Sequence, residues 1–409
     1  MKSFVTKLSL FLVAGIPGSF FELGGIGSLN RVIGGTVFFF WVCSLIYDGK
    51  FAKMTLFHLM CFAFITWYCI SLWWSVDPGE TLFRLTLLQA LVLVAMLWDL
   101  LRTPKDINLA LRAFVIGVYI STILVYKATL VAPDQEWEAR FAGLFDPNDL
   151  ALMVIMGLPL GVYLATQEKN RLFAMMGYGY PLICVYVFFA TGSRGALMSC
   201  LPAVLFLLYS IPRFNKNSIP VFIFGGIGLI YLITKTDFGV NIARFADIQN
   251  SLGEGHLTGR TNLWWGGWVA YKQHPFLGVG GGAYPAAAFP FSGWGEKLVA
   301  HDTYWSTLAE LGPVGFLLFF GILVTVTIGI FRHRGYLRLM WLSSMATWAI
   351  GVTALSWEFR SQTWLFFVLV ICSSRAYRLE RHFEQGQQEA AQTAESLPAP
   401  PLQPVGATG

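Results

Sequence analysis

Residues 252–312 read LGEGHLTGRTNLWWGGWVAYKQHPFLGVGGGAYPAAAFPFSGWGEKLVAHDTYWSTLAELG and form the longest interruption between the apolar segments of the chain. They contain Arg260, Lys272, His274 and His301. Charge in most loops is merely solvated. Here, however, three tryptophans accompany an arginine, and a histidine stands where a helix is predicted to begin. Ionisable residues are costly in a chain that is otherwise apolar, so we expect this loop to carry the functional site.

The composition is typical of an integral membrane protein. Of 409 residues, 56% are hydrophobic and only 12% are charged, and the mean hydropathy is +0.59. Soluble domains contain about 25% charged residues. The six cysteines all fall in apolar runs without a paired spacing, which favours small buried side chains over disulfides or metal ligands. The net charge of +5 is not accompanied by a basic run or a nucleic-acid-binding motif, so we expect no nucleic acid partner.

The predicted fold class is an all-α polytopic membrane protein. About 17 to 25 apolar residues cross a bilayer, and about twelve stretches meet this length. They are approximately 7–22, 32–48, 54–74, 84–100, 108–130, 148–166, 172–190, 195–211, 218–234, 303–331, 336–355 and 360–377. The first resembles a signal peptide but lacks a clear cleavage site, so we expect it to be retained as a helix.

The distribution of Lys and Arg predicts the orientation of these spans. With the N-terminus in the cytoplasm, every inward loop is basic, including DGKFAK, LRTPKD, QEKNR, PRFNKN and FRHR, as the positive-inside rule requires. We expect one domain over 1–380, in the inner membrane of a bacterium, with a periplasmic loop at about 236–302 that contains short interfacial helices. Residues 381–409 are polar and rich in Pro and Ala, which predicts a disordered cytoplasmic tail.

Arginines on the outward side oppose this charge pattern. Arg140, Arg194 and Arg260 all lie in predicted outward loops. Arg194, taken alone, is equally compatible with an arginine that snorkels to the membrane surface. Arg260 is predicted to open an interfacial helix from Asn262 to Gln273, whose tryptophans (Trp264, Trp265, Trp268) suit a membrane-interface belt.

Other polar features of these loops favour structural roles. Asn148 is predicted to cap the sixth span after a turn at Pro147. The glycines of Gly278–Gly282 lack the strand, helix and Lys of a nucleotide-binding loop, which favours a flexible connection or a close backbone approach. The histidines (His256, His274, His301) have no metal-ligand spacing, so no metal and no cofactor is predicted.

Five short motifs occur in a characteristic order. They are RFAGLFDPN at 140–148, SRGA at 193–196, GRTNLW at 259–264, HPFLGVG at 274–280 and HDTYWSTLAELG at 301–312. Together they resemble the O-antigen ligase and polymerase superfamily, most strongly from about 136 to 320. In that family the last histidine is more often followed by Asn, whereas Asp302 stands here. Asp302 therefore either positions the histidine or caps the helix.

The resemblance implies transfer of a glycan from undecaprenyl pyrophosphate to an acceptor hydroxyl at the periplasmic face. The acceptor is lipid A-core for a ligase or a second lipid-linked glycan for a polymerase, and membrane lipid surrounds the enzyme. The resemblance assigns catalysis to His301 and pyrophosphate binding to Arg194 and Arg260, with Arg140, Asp302 and Tyr304 as further candidates for substrate binding. These residue types suit the chemistry, since Arg stays charged and binds phosphate oxygens bidentately.

Two classes of function compete for this sequence. A transporter of lipid-linked sugars is also compatible with about twelve spans and outward arginines, but it is expected to contain internal repeats, and none is evident. A metal-independent, inverting glycosyltransferase is therefore preferred. Within that class, O-antigen ligation is favoured over polymerisation of O-antigen or exopolysaccharide repeat units, because the chain has one long outer loop instead of two long basic ones.

Overall fold

The structure, a computed structural model, describes residues 1–17, 22–23, 27–83, 87–129, 146–235 and 260–396. These residues are almost entirely helical. The helices are α1 (Lys2–Gly15), α2 (Leu29–Asp48), α3 (Leu56–Ile70), α4 (Pro78–Phe83), α5 (Leu87–Leu100), α6 (Pro104–Thr129), α7 (Pro147–Met156), α8 (Leu158–Gln167), α9 (Arg171–Thr191), α10 (Arg194–Ser199), α11 (Leu201–Ser210), α12 (Ser218–Lys235), α13 (Arg260–Gln273), α14 (Tyr284–Ser292), α15 (Thr303–Phe331), α16 (Gly335–Gly351) and α17 (Ser361–Ser396). The two-residue strands Glu22–Leu23 and Gly27–Ser28 pair antiparallel.

Eight helical segments within the described ranges are long and apolar enough to cross a membrane. They are Leu29–Asp48, Leu56–Trp73, Pro78–Leu100, Pro104–Lys127, Pro147–Gln167, Arg171–Thr191, Ser218–Lys235 and Thr303–Phe331. This confirms an all-α, multi-pass membrane protein. The other predicted spans coincide with α1, α10–α11, α16 and α17, which are shorter or more polar, so the total of twelve stays a prediction.

Buried tryptophans tie the last two helices to the bundle. Trp348 and Trp364 are fully buried. The Nε1 of Trp348 donates to the Thr363 hydroxyl over 3.1 Å, and that of Trp364 donates to the Glu358 carbonyl over 3.0 Å. A buried indole N–H needs such an acceptor. These bonds hold the connection between α16 and α17 in place, and this connection contacts the candidate functional site.

Helix α15 is sharply kinked after its third turn. Gly312 has φ 65° and ψ −173° inside it, and Pro313 follows. Proline removes a backbone donor, and glycine adopts a positive φ without steric cost. The indole of Trp67 donates to the carbonyl of Leu311 over 2.9 Å. The kink therefore separates a short first section, which begins beside His301, from the membrane-spanning remainder.

The described part of the predicted periplasmic loop contains the two short helices α13 and α14, which pack closely together. A Cβ at Gly266 would lie only 2.7 Å from the carbonyl of Ala288, and one at Gly267 would clash with the Tyr284 ring. Glycine at both positions therefore allows α13 and α14 to pack this closely. Residues 236–259 of the loop lie outside the described residues.

The predicted disorder of the C-terminal tail is wrong for residues 381–396. Helix α17 continues without a break to Ser396. This section is rich in Glu, Gln and Ala, which are strong helix formers, so local propensity favours a helix here. Residues 397–409 lie outside the described residues.

Candidate functional site

His301 stands immediately before α15 in an unusual backbone conformation. Its φ is 50°, and it is the one residue other than glycine with a positive φ among those that the structure describes. Such a conformation costs about 1–3 kcal/mol and persists only where the surroundings impose it. The histidine side chain is half-buried. His301 therefore forms a left-handed turn before α15 and is not part of that helix.

The start of α15 supplies the bonds that hold this conformation. Asp302 is the N-cap, and its carboxylate accepts from the backbone N–H of Trp305 over 2.8 Å. The N–H of Thr303 donates to the Val352 carbonyl over 2.9 Å, and its hydroxyl donates to the Leu355 carbonyl over 2.7 Å. Of the two roles considered for Asp302, capping is confirmed. The connection between α16 and α17 anchors the turn that carries His301.

Arg260 begins α13 and belongs to the same region. The Nε1 of Trp264 donates to the carbonyl of Ala300 over 2.9 Å, which ties the first turn of α13 to the residue before His301. The bond gives Trp264 a structural role, and its place in a membrane belt stays a prediction. Trp265 and Trp268, by contrast, are 60% and 43% exposed, as a belt requires.

Charges around His301 favour its neutral form. Burial lowers its pKa, Arg260 lowers it further, and Asp146 partly offsets both effects. Burial also lowers the pKa of Arg260, against the attraction of Asp146 and Asp302, but an arginine stays protonated at neutral pH. The site therefore combines an uncharged imidazole, which can accept a proton, with a fixed cation beside it.

Arg194 is brought to the same end of the bundle by the turn between α9 and α10. Ser193 caps α10, and its hydroxyl donates to Asn148 Oδ1 over 2.9 Å, which joins this turn to the start of α7. A Cβ at Gly195 would lie 3.0 Å from that of Ala354. Arg194 therefore lies beside the same α16–α17 connection that anchors α15.

The start of α7 contributes residues that the sequence motifs did not single out. Asp146 is the N-cap, accepting from the N–H of Asn148 over 2.7 Å, so the prediction that Asn148 is the cap is wrong. The Asp146-Pro147 pair could have predicted this cap, since Asp is favoured as an N-cap and Pro at the first helical position. Asp149 is buried and pairs with Arg360 over 2.7 Å. Arg360 is a further arginine of the predicted outward loops, and no sequence motif singled it out.

Tyr304 and Arg140 are the remaining candidates for substrate binding. The hydroxyl of Tyr304 donates to the Ala349 carbonyl over 3.1 Å, so Tyr304 joins α15 to α16, and its contact with substrate stays a prediction. Arg140 lies outside the described residues.

The glycines at 278–282 form a close backbone approach, as predicted. Val279 donates to the Ala309 carbonyl over 3.0 Å, and Glu310 accepts from the N–H of Gly282 over 2.6 Å. Gly278 has φ 73°, and a Cβ there would clash with the Glu310 carbonyl. The loop between α13 and α14 is therefore fastened to the first section of α15, the helix that His301 precedes.

These features define a class: a helical multi-pass membrane protein in which arginines and one histidine gather at the starts of several helices. Residues 180–320 match the model of the O-antigen ligase family, Wzy_C. This confirms the resemblance to the O-antigen ligase-like superfamily. The matched region contains Arg194, Arg260 and His301.

A comparison with curated proteins agrees with this family. The exopolysaccharide production protein ExoQ of Rhizobium meliloti (strain 1021) is 26% identical over 294 residues, which cover 66% of this chain and 65% of ExoQ. The chain thus spans a little under two thirds of the relative that it matches.

Proposed function

We propose that the chain is a glycosyltransferase of the bacterial inner membrane that moves a glycan from undecaprenyl pyrophosphate to an acceptor hydroxyl at the periplasmic face. The observation that carries this proposal is the arrangement around His301: a half-buried imidazole whose pKa is lowered by burial and by Arg260. A neutral base beside a fixed cation is what such a transfer needs.

The reaction balances with these residues alone. His301 accepts the proton of the acceptor hydroxyl as its oxygen bonds to the anomeric carbon. The bond between that carbon and the phosphate oxygen breaks, and its electron pair leaves with undecaprenyl pyrophosphate. Direct attack inverts the anomeric centre. The histidine then releases its proton to solvent.

Arg194 and Arg260 stabilise the leaving group. Charge develops on the pyrophosphate as the glycosidic bond breaks, and preorganised cations lower the energy of that state more than that of the bound substrate. Both residues begin helices at the His301 end of the bundle. No group of three or more His, Cys, Asp or Glu within the described ranges is arranged to hold a metal, and we propose that the arginines supply the positive charge.

The proposed reaction is tested with purified protein, donor and acceptor in detergent, with and without EDTA. Transfer that survives the chelator supports the metal-independent mechanism, and loss that added divalent ion restores overturns it. A transporter of lipid-linked sugars would produce no covalent product in this assay, since detergent leaves no compartments to transport between.

The acceptor is proposed to be lipid A-core, as the family description of an O-antigen ligase favours. The name of ExoQ favours the alternative, in which the acceptor is a second lipid-linked repeat unit. A glycan gel of a deletion strain separates the two. A ligase deletion leaves polymer on its lipid carrier and none on lipid A, whereas a polymerase deletion leaves single repeats.

A further inference from the structure

A cavity of about 900 Å³ lies between α1, α2 and α5 and extends to Asp149 and Arg360 of the candidate site. Its lining includes the apolar side chains of Leu12, Phe38, Leu93 and Met96 beside the polar ones of Asn30 and Gln89. The volume is within the range of ligand sites, roughly 300–1,000 Å³. At the C-terminal end of α5, buried Asp99 is bonded to Lys2 of α1 over 3.2 Å and to Trp41 of α2 over 3.1 Å. The three helices are thus clamped together at that end.

The rim of the cavity is polar and carries charges of both signs. Arg31, Asp146, Asp149 and Arg360 all line it. The carboxylate of Asp149 is engaged by Arg360 over 2.7 Å and by the indole of Trp357 over 2.7 Å. Asp146 caps α7. A cavity with apolar and charged residues in its lining is better suited to an amphipathic ligand than to a wholly apolar ligand.

This rim adjoins the candidate catalytic residues. Trp357, whose indole donates to Asp149 over 2.7 Å, also donates its backbone N–H to the Thr303 hydroxyl over 2.7 Å, and Thr303 is two residues after His301. A molecule whose chain fills the cavity therefore has its polar end near Arg260 and His301.

We propose that the cavity holds the headgroup-proximal hydrocarbon chain of the lipid-linked glycan donor. The inference rests on the proposed function, because it assumes a donor whose phosphate is bound by Arg194 and Arg260. The bilayer is as apolar as the cavity, so the chain gains van der Waals packing and no hydrophobic transfer energy. The cavity accordingly selects and aligns the donor, with a modest gain in affinity.

Two glycines of α2 open the space and provide the test. Gly34 and Gly35 line the cavity, and a Cβ at Gly35 would meet no atom within 4 Å. Gly35→Trp therefore fills the cavity without a backbone clash. Gly226 of α12 is a matched control, since it is also helical with no atom within 4 Å of its Cβ but does not line the cavity.

The experiment uses the full chain in nanodiscs and an undecaprenyl pyrophosphate analogue with a photoreactive group in its chain. We expect cross-links within residues 12–16, 30–38 and 88–96, reduced about tenfold by Gly35→Trp and unchanged by Gly226→Trp. In the transfer assay, Gly35→Trp should raise KM for the long-chain donor about tenfold, equivalent to about 1.4 kcal/mol, and leave kcat unchanged. A donor analogue with a methyl group in place of the hydrocarbon chain should not distinguish the variants.

Several results would overturn the donor site. They are cross-links elsewhere, equal labelling of the cavity by photoreactive phosphatidylethanolamine, or an unchanged KM in a folded Gly35→Trp protein. Gly35→Leu replaces Gly35→Trp if thermal melting shows that the latter does not fold. Cavity labelling without any glycan transfer would refute the proposed function and leave the lipid site standing. Transfer without cavity labelling would refute the site alone.

Discussion

At the scale of the residue, His301 combines a strained backbone with a neutral side chain. The left-handed conformation is imposed by the cap at Asp302 and the bonds of Thr303 to the α16–α17 connection. Strain of this kind concentrates at functional sites. Burial and Arg260 together keep the imidazole unprotonated, which is the form that a general base requires.

Replacement of His301 tests its proposed role directly. His301→Ala should still bind the lipid-linked donor and lose transfer by about 10²–10⁴-fold, the usual contribution of a positioned acid–base group. Donor binding and turnover are measured on the same purified protein. His274→Ala is the control, because His274 is exposed and lies in the same loop. Near-normal turnover of His301→Ala would return this histidine to a structural role.

The pH dependence of transfer should report the lowered pKa of His301. Activity is lost as the pH falls through that pKa, because protonation removes the base. The acid limb of the kcat/KM profile should therefore lie below about 6.5, the ordinary value for histidine. In Arg260→Gln, the residual activity should have its acid limb at higher pH, since the cation that lowers the pKa is gone. Asp146 remains and acts in the same direction. An unmoved limb would contradict the coupling.

The two arginines are predicted to act through the geometry of the guanidinium as well as its charge. Arg194→Lys keeps the charge and loses the bidentate fork, so turnover should fall by about 10²–10³-fold, as for loss of a transition-state contact. Arg213→Lys serves as the control, because Arg213 stacks on Tyr209 at an exposed site. Full turnover of folded Arg194→Lys would indicate that this arginine only anchors its helix.

At the scale of the element, the loop between α13 and α14 is fastened to α15. Gly280 donates to the Glu310 carbonyl over 2.9 Å, and the Glu310 carboxylate accepts from the N–H of Gly282 over 2.6 Å. The glycines allow two backbones to meet beside the kink at Gly312. Because α13 carries Arg260 and α15 follows His301, this attachment keeps the two residues in register.

A matched pair of substitutions separates this contact from backbone strain. Gly278→Ala and Gly293→Ala both place a side chain at positive φ, 73° and 69°, which costs about 1–2 kcal/mol. Only at Gly278 does the new Cβ also clash with the Glu310 backbone, which adds about 1–3 kcal/mol of overpacking. Thermal melting should therefore show Gly278→Ala to be the less stable, with lower transfer activity. Equal melting temperatures would refute the close approach.

At the scale of the whole molecule, the site residues collect at one end of the helical bundle. Helices α7, α10, α13 and α15 all begin there, and the Asp149–Arg360 pair joins α7 to the segment before α17. The proposed reaction requires this end to face the periplasm, where lipid-linked glycans are displayed.

Thiol labelling tests the orientation. A cysteine at Glu296, which is exposed in the loop before His301, should react with a membrane-impermeant reagent in intact spheroplasts. A cysteine at Asn217, exposed between α11 and α12, should react only after lysis. Labelling is compared with the parent protein, which retains its native cysteines. The reverse pattern would refute the orientation and the mechanism that depends on it.

The sequence motifs identified individual residues of the site but not their partners. Arg194, Arg260 and His301 stand in short motifs whose order along the chain is visible without a structure. Asp149 and Arg360 are far apart in sequence, and each alone reads as an ordinary loop or helix-end charge. The indole of Trp264 is equally ambiguous, because its bond to the Ala300 carbonyl depends on how α13 packs.

Hydropathy by itself determined that this chain is a multi-pass helical membrane protein, because the cost of placing a side chain in lipid depends on the local segment. Helix propensity also depends on the local sequence alone, although the composition of residues 381–396 was interpreted as predicting disorder. Only the tertiary structure decided the strained turn of His301, the Asp149–Arg360 pair and the cavity beneath Asp146. Each results from contacts between helices distant in sequence, and such packing depends on side-chain shape and on glycine positions, which no local pattern encodes.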